Sequence, residues 1–229
     1  MKRLISILFL AVSQFSTAIA QDEVGFMNFV NLVPGDKVCE IRIESKNPAG
    51  DGLKSASYTG WFLFPVGPCA LSLKVEGLEE VKGSLNIEEG AGLLYAIYLE
   101  PDPKPAKDDK PAPPLLKIRS FPAFEAEGRA LRFASVCAED NRFQLGPQAV
   151  DVERFQVMEI PTWSGAGFPL KKNGKAVRKI PSVQEQEPYY LLAGSDLEGN
   201  CTAALVFAGK PGIPPWRQKK KEETAEKKP

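Results

Sequence analysis

Short apolar runs recur along most of the chain, and Gly, Pro, Asn and Asp separate them. In residues 37–44, Cys39, Ile41 and Ile43 share one face of an extended chain, while charged residues occupy the other. No stretch sustains the spacing of three to four residues that an amphipathic helix requires. The pattern therefore predicts an all-β protein.

The predicted strands fall into two comparable series. Seven strands in the first half match the number in an immunoglobulin-like sandwich. They are residues 25–33, 37–44, 58–64, 69–75, 81–87, 93–100 and 115–121, followed in the second half by 130–137, 142–145, 152–160, a ragged stretch around Phe168, 176–180, 189–193 and 201–208.

Several landmarks recur in the same order in both series. Phe29 in the first opening strand matches Phe133 in the second, and Phe64-Pro65 matches Ile160-Pro161. A tyrosine-bearing strand follows each proline after about 30 residues. We therefore expect two tandem Ig-like β-sandwich domains related by a diverged internal repeat.

The repeat also predicts the domain bounds. The first domain is expected at residues 21–124 and the second at 125–210, with the boundary near residues 123–128. The Pro-, Lys- and Asp-rich segment 101–114 has the composition of an interdomain spacer. Its equivalent in the second series merely joins the last two strands, so the repeat predicts an enlarged hairpin loop inside the first domain.

Both ends of the chain have distinctive compositions. Lys2 and Arg3, the apolar run 4–12 and the closing Ala18-Ile19-Ala20 are typical of a cleaved signal peptide, residues 1–20. The run is shorter than the roughly 20 residues that span a bilayer, and we expect no membrane span elsewhere. The mature chain is predicted to be exported: periplasmic, at the cell surface or secreted. Residues 211–229 form a charged tail that is predicted to be unstructured, and it is a candidate contact for an acidic surface.

Charge and composition exclude several functions. The chain has 29 basic and 29 acidic residues, and the basic excess lies in the tail, so the body is slightly acidic and nucleic-acid binding is not expected. The absence of histidine from the whole sequence excludes Ser-His-Asp and Cys-His catalysis and all imidazole metal sites. No cofactor motif is present, so none is expected.

The four cysteines predict two disulfides, because the chain is exported and each cysteine shares a strand face with apolar residues. The expected pairs are Cys39 with Cys69 and Cys137 with Cys201, one per domain, each with a structural role. Two pairs of buried free thiols are the alternative. A redox-active thiol is not expected without a C-x-x-C spacing, and the gaps do not fit a zinc site.

Tryptophans and carboxylates supply the remaining candidates. Trp163 lies in a turn and is the best candidate contact residue, with Trp216 as a second, whereas Trp61 is expected to pack in a core. The acidic pairs Glu79-Glu80, Glu88-Glu89 and Asp108-Asp109 lie in predicted turns or in the Pro-rich loop, where carboxylates are usually solvated.

Three segments carry a resemblance to a known family. Residues 28–35 (Asn-Phe-Val-Asn-Leu-Val-Pro-Gly), 64–67 (Phe-Pro-Val-Gly) and 88–95 (Glu-Glu-Gly-Ala-Gly-Leu-Leu-Tyr) resemble turn and strand elements of a bacterial family of exported Ig-like domains of unknown function. The resemblance covers residues 25–100 and extends faintly into the second half. It implies a non-catalytic envelope or surface β-domain and assigns no functional residue.

The expected function is therefore that of a non-enzymatic binding or structural component of the cell envelope or matrix, with an unknown protein or glycan partner. A carbohydrate-binding accessory module is the alternative. A carboxylate-based hydrolase is the third possibility, and it requires two acidic groups that face each other in a cleft.

Overall fold

The computed structural model describes residues 23–103, 113–124, 128–139, 142–161, 163–184 and 186–211. These residues form strands and turns without a helix, so the prediction of an all-β protein is confirmed. None of them belongs to a helix that could cross a membrane. The predicted signal peptide and Trp216 lie outside the described residues.

The strands of the first half, in chain order, are β1 (Val24–Asn31), β2 (Val38–Ile43), β3 (Leu53–Lys54), β4 (Ser57–Tyr58), β5 (Phe62–Pro65), β6 (Gly67–Val75), β7 (Val81–Ile87), β8 (Gly92–Glu100) and β9 (Leu115–Pro122). Those of the second half are β10 (Ala130–Ser135), β11 (Arg142–Leu145), β12 (Gln148–Asp151), β13 (Val157–Ile160), β14 (Phe168–Lys172), β15 (Lys175–Ile180), β16 (Pro188–Ser195) and β17 (Cys201–Phe207).

Each half consists of an outer and an inner sheet. The outer sheets have the orders β3-β2-β6-β7 and β12-β11-β14-β15. The inner sheets have the orders β4-β1-β8-β9, with β5 also paired to β1, and β13-β10-β16-β17. The two halves thus share one strand order, which is compatible with a diverged repeat. The repeat itself stays a prediction.

Each inner sheet contains one parallel pair of strands. β1 runs parallel to β8, with Phe29 opposite Tyr95, and β10 runs parallel to β16, with Phe133 opposite Leu191. The sheets of an immunoglobulin domain are described as antiparallel, so the sandwich here departs from that pattern at one pair in each half. The chain between the two parallel strands builds the outer sheet, and this crossover makes the parallel pairing possible.

Three hydrophobic cores hold the four sheets together. The first lies between the sheets of the first half and contains Phe29, Ile41 and Leu73. Another lies between the sheets of the second half around Phe133 and Phe143, whose rings meet edge to face. The third core, which we call the central core, joins the two inner sheets and includes Leu94, Ala96, Tyr190, Leu192 and Val206. The four sheets therefore stack as outer, inner, inner and outer layers.

The central core explains why the inner strands are so apolar. Strand β8 alternates its side chains between two cores, with Tyr95 and Ile97 in the first and Leu94 and Ala96 in the central core. Strands buried on both faces carry nearly continuous hydrophobic runs rather than alternating ones. Polar contacts also cross between the halves: Tyr190 Oη donates to Pro122 O at 2.8 Å, Trp61 Nε1 donates to Phe207 O at 3.2 Å, and Arg154 Nη1 pairs with Glu100 Oε1 at 2.9 Å.

The Pro-rich segment connects neighbouring strands of one sheet. β8 and β9 pair antiparallel, with Glu100 opposite Leu115. Residues 104–112 of this segment lie outside the described residues. The segment therefore joins β8 to β9, the strand at the end of the first half's inner sheet.

Candidate functional site

The cysteine pair of the first half is separated by the strand register. Cys39 lies opposite Val75, and Cys69 lies six residues before Val75 on the same strand. At about 3.3 Å per residue this offset is roughly 20 Å, whereas the Cα atoms of a disulfide lie within about 7 Å of each other. Both cysteines are free thiols. The predicted Cys39–Cys69 disulfide is therefore wrong, because strand alternation indicates the face of a residue but not its position along the partner strand.

The surroundings of Cys39 and Cys69 make both thiols weakly acidic and therefore unreactive. Burial raises the pKa of Cys39 to about 12, and burial likewise raises the pKa of Cys69. A thiol with a raised pKa stays protonated at neutral pH, and the protonated form is a poor nucleophile and metal ligand.

The predicted Cys137–Cys201 disulfide is not formed either, and both thiols are free. Ser135 on β10 lies opposite Ala193 on β16, so Cys137, two residues further on, is level with Ser195. Ser195 in turn lies opposite Cys201 on β17. Cys137 and Cys201 therefore lie on the two chain segments that flank β16, and the Cys201 thiol donates to Thr202 O at 3.7 Å.

The pKa values of this pair move in opposite directions. The hydrogen bond from the Cys201 thiol lowers the pKa of Cys137, and the hydroxyls of Ser135 and Ser195 and the charge of Lys172 act in the same direction against the cost of burial. The same contact with Cys137 raises the pKa of Cys201. The arrangement thus favours a thiolate on Cys137 and a proton on Cys201.

A buried lysine and a small cleft adjoin these thiols. On β14, Phe168, Leu170 and Lys172 point inward, and Lys172 is only 8% exposed. Lys172 and Ser195 also line a cleft of about 180 Å³, together with Asp196 and Pro101. Sequence reasoning missed Lys172 and Ser195. The inward positions of β14 were the available signal, because a lysine on an otherwise apolar strand face is rarely buried without a reason.

Trp163, the leading candidate contact residue, is half-buried rather than fully exposed. Its Nε1 donates to Ala166 O at 3.2 Å, and its ring meets Tyr189 at 5.8 Å between centroids. Tyr189 in turn meets Phe207 at 6.0 Å. These three partly exposed rings, which we call the aromatic row, share the face of the second half's inner sheet that is directed toward its outer sheet. Trp61 is also half-buried and packs against the central core.

The acidic pairs are dispersed over the surface. Glu80 accepts a hydrogen bond from Ser72 Oγ at 2.6 Å and pairs with Lys82 at 3.2 Å, and the serine contact is the main cause of its lowered pKa. Glu88 and Glu89 are exposed, and Asp108-Asp109 lie outside the described residues. Within the described ranges, no three Cys, Asp or Glu residues are grouped as metal ligands would be.

A second cleft lies at the edge of the first half. It is lined by residues 79–81, which lead into β7, and by Leu115, Leu116, Lys117 and Ile118 of β9. These strands end their respective sheets on the same side of the sandwich. We call this surface the edge cleft. It begins directly after the Pro-rich segment.

Comparison with known proteins gives no assignment: no protein-family model matches the chain, and no curated protein shows a significant match.

Proposed function

We propose that the chain is a non-enzymatic exported protein that binds a partner protein at the edge cleft, as a component of the cell envelope or matrix. The observation that carries this proposal is the edge cleft itself. There, apolar side chains of β9 lie at the end of a sheet to which no further strand of the described residues pairs. The fused four-layer body supports it, since binding surfaces commonly lie on the edges and loops of a rigid scaffold.

The hydrogen-bonding pattern shows which atoms of β9 could receive a partner strand. Ala123 N donates to Gly92 O, across the β8–β9 pair. In an antiparallel ladder, alternate residues direct their N–H and C=O groups to the same side. Arg119 and Phe121 therefore face β8, whereas Ile118 and Ser120 direct their backbone groups to the open edge. Within the described part of the chain, β9 has β8 as its one ladder partner.

An extended peptide that adds to this edge would gain main-chain hydrogen bonds from β9 and side-chain contacts in the cleft. Leu115 and Ile118 provide apolar contacts, while Glu80 and Lys117 provide charges of both signs at the rim. The proposed partner therefore presents a strand-forming segment with apolar residues at alternate positions.

The test is a pull-down from an envelope extract with immobilised wild type, Ser120→Pro and Ser120→Ala. Ser120 is exposed, and proline there removes an outward N–H while the bonds to β8 remain. We expect Ser120→Pro to lose a partner that wild type and Ser120→Ala retain. Retention by all three proteins would contradict the edge site, and no retention by wild type above bare beads would contradict the binding function.

A carbohydrate-binding module is the second candidate, and the aromatic row favours it. Trp163, Tyr189 and Phe207 offer apolar ring surface with polar groups nearby, the combination that sugar rings require. A glycan array distinguishes the two candidates: a hit that Trp163→Ala abolishes supports the module, whereas an empty array contradicts it.

A further inference from the structure

One end of the core between the sheets of the second half changes from apolar to polar. On β14, Leu170 lies in this core, and Lys172 follows it on the same strand face. On β16, Leu191 and Ala193 lie in the same core, and Ser195 follows them on that face. Lys172 and Ser195 therefore both point into the space between the two sheets, at the end where the apolar packing stops.

Lys172 carries a buried charge, since only 8% of its surface is exposed. Within the described ranges of the chain, its ammonium group forms no hydrogen bond and no ion pair. Burial of an ammonium group is costly unless an opposite charge or hydrogen-bond acceptors compensate it. A ligand that supplies a carboxylate to Lys172 would remove this cost.

The surface that Lys172 does expose lines a cleft of about 180 Å³, which we call the lysine cleft. Three parts of the chain form its other walls, namely Pro101, residues 138–139 and the end of β16 with the turn that follows, which includes Ser195, Asp196, Leu197 and Gly199. Hydrogen bonds fix this turn, because the Asp196 carboxylate accepts from Glu198 N at 3.0 Å and from Asn200 N at 2.8 Å. The cleft therefore has a rigid rim.

Charges of both signs line the lysine cleft without neutralising each other. Glu139 lines it and is exposed, and it forms no ion pair with Lys172 or with any other residue that the structure describes. The carboxylate of Asp196 is occupied by the hydrogen bonds of its own turn. The cleft thus presents an ammonium and a hydroxyl at its buried side and a carboxylate at its rim.

We propose that the lysine cleft binds a small zwitterion of the α-amino-acid type, such as glycine or alanine. Lys172 and Ser195 bind the ligand's carboxylate, and Glu139 binds its ammonium group, through charge-assisted hydrogen bonds. A simple anion would gain the contact with Lys172 but would be repelled by Glu139 and Asp196, and a simple cation would be repelled by Lys172. A zwitterion satisfies both ends of the cleft.

The size of the lysine cleft limits the ligand. A water molecule occupies about 30 Å³ in the liquid, so a cleft of about 180 Å³ has room for about six waters, or for a ligand with a similar number of non-hydrogen atoms. Pro101 and Ala138 provide apolar wall that a methyl group can contact. The site lies apart from the edge cleft and does not depend on the partner proposed there.

Equilibrium dialysis of the mature full-length protein against radiolabelled glycine measures the site directly, and unlabelled competitors define the ligand class. Alanine should displace the label. Acetate and methylamine, which each carry one of the two charges, should require at least tenfold higher concentrations, because each lacks one charge-assisted contact. No retention of glycine by the protein, or displacement by acetate as efficient as that by alanine, would overturn the proposal.

A lysine pair tests whether the ligand lies in the lysine cleft. Lys172→Met removes the charge but keeps most of the side-chain volume, and it should lower the affinity for glycine at least tenfold. Lys171→Met is the matched control, because Lys171 lies on the opposite face of β14 and does not line the cleft. Urea unfolding shows whether both variants are folded. Unchanged glycine binding by folded Lys172→Met would overturn the site.

A pair of acidic variants tests the ammonium contact, and it does not depend on how Lys172→Met folds. Glu139→Gln should weaken glycine binding at least tenfold without weakening acetate binding. Glu198→Gln is the control, since Glu198 is an exposed residue of the adjoining turn that does not line the cleft. Equal glycine binding by wild type and both variants would overturn the contact with Glu139 and with it the amino-acid class.

Discussion

The first half approaches strand β16 closely at Gly194, and replacing this glycine tests the central core. A Cβ atom at Gly194 would lie 2.8 Å from Leu32 Cβ, 2.9 Å from Leu32 O and 3.3 Å from Val136 Cγ2. Leu32 Cβ and Leu32 O are held in place by the backbone. They cannot move away from a Cβ at Gly194 unless the two halves separate. The backbone conformation itself tolerates alanine, since Gly194 has no positive φ.

The expected cost of Gly194→Ala follows from two opposing effects. Overpacking a well-filled core costs about 1–3 kcal/mol. Replacing glycine by alanine in a strand recovers about 0.5–1 kcal/mol of conformational entropy. We therefore expect the free energy of unfolding to fall by about 1–2 kcal/mol, a shift of roughly 0.5–1 M in the urea midpoint for an m value of about 2 kcal/mol/M.

Gly83→Ala is the matched control. Gly83 also lies in a strand without a positive φ, and a Cβ there would meet no atom within 4 Å. Urea unfolding followed by tryptophan fluorescence should show Gly83→Ala at least as stable as wild type and Gly194→Ala less stable. An unchanged or raised midpoint for Gly194→Ala would refute the tight contact between the halves.

Three further predictions concern buried polar groups and thiols. Asn31→Ala should lower the free energy of unfolding by about 1–3 kcal/mol, measured by urea denaturation, because Asn31 Nδ2 donates to Leu53 O at 2.8 Å and Oδ1 accepts from Val33 N at 3.0 Å in a buried site. Tyr190→Phe should cost about 1 kcal/mol in the same assay through loss of the bond to Pro122 O, and an unchanged value would show that this bond adds no stability. Cys39, whose pKa is raised to about 12, should resist iodoacetamide at pH 8 in the folded protein and react in urea, where the pKa returns to its ordinary value near 9. Since the unfolded thiol ionises first as pH rises, Cys39 should also make folding less favourable above about pH 9, and rapid alkylation of the folded protein would contradict its burial.

Strand positions could be read from the sequence because alternation is a local signal. The prediction at residues 81–87 coincides with β7. The predicted strand 58–64 is instead divided between β4 and β5. The interruption falls at Gly60, where φ is +82°, and at Thr59, whose Oγ1 accepts a hydrogen bond from Phe29 N at 3.0 Å. That bond depends on a partner 30 residues away, which no local pattern contains.

The register and packing of the strands were harder to predict than their positions in the sequence. Alternation placed all four cysteines in cores, but only the antiparallel register of β2 and β6 shows that Cys39 and Cys69 are far apart. The central core had a signal that could have been used, since the run from Leu93 to Leu99 is apolar at successive positions and therefore fits burial on both faces. The cleft beside Lys172 had one weak signal, the inward lysine of β14, because the other residues that line it come from distant parts of the chain.

The parallel pairing in each half also constrains the order of folding. Strand β1 cannot pair with β8 until Tyr95, 66 residues after its partner Phe29, has been added to the chain. Pairings at such separations require costly loop closure and slow the search for the native state. Until the second half is complete, Leu94, Ala96 and Phe121 lack their apolar cover. A chain that is synthesised from its N-terminus therefore passes through a stage in which the first half exposes an apolar face, and such exposed faces favour aggregation.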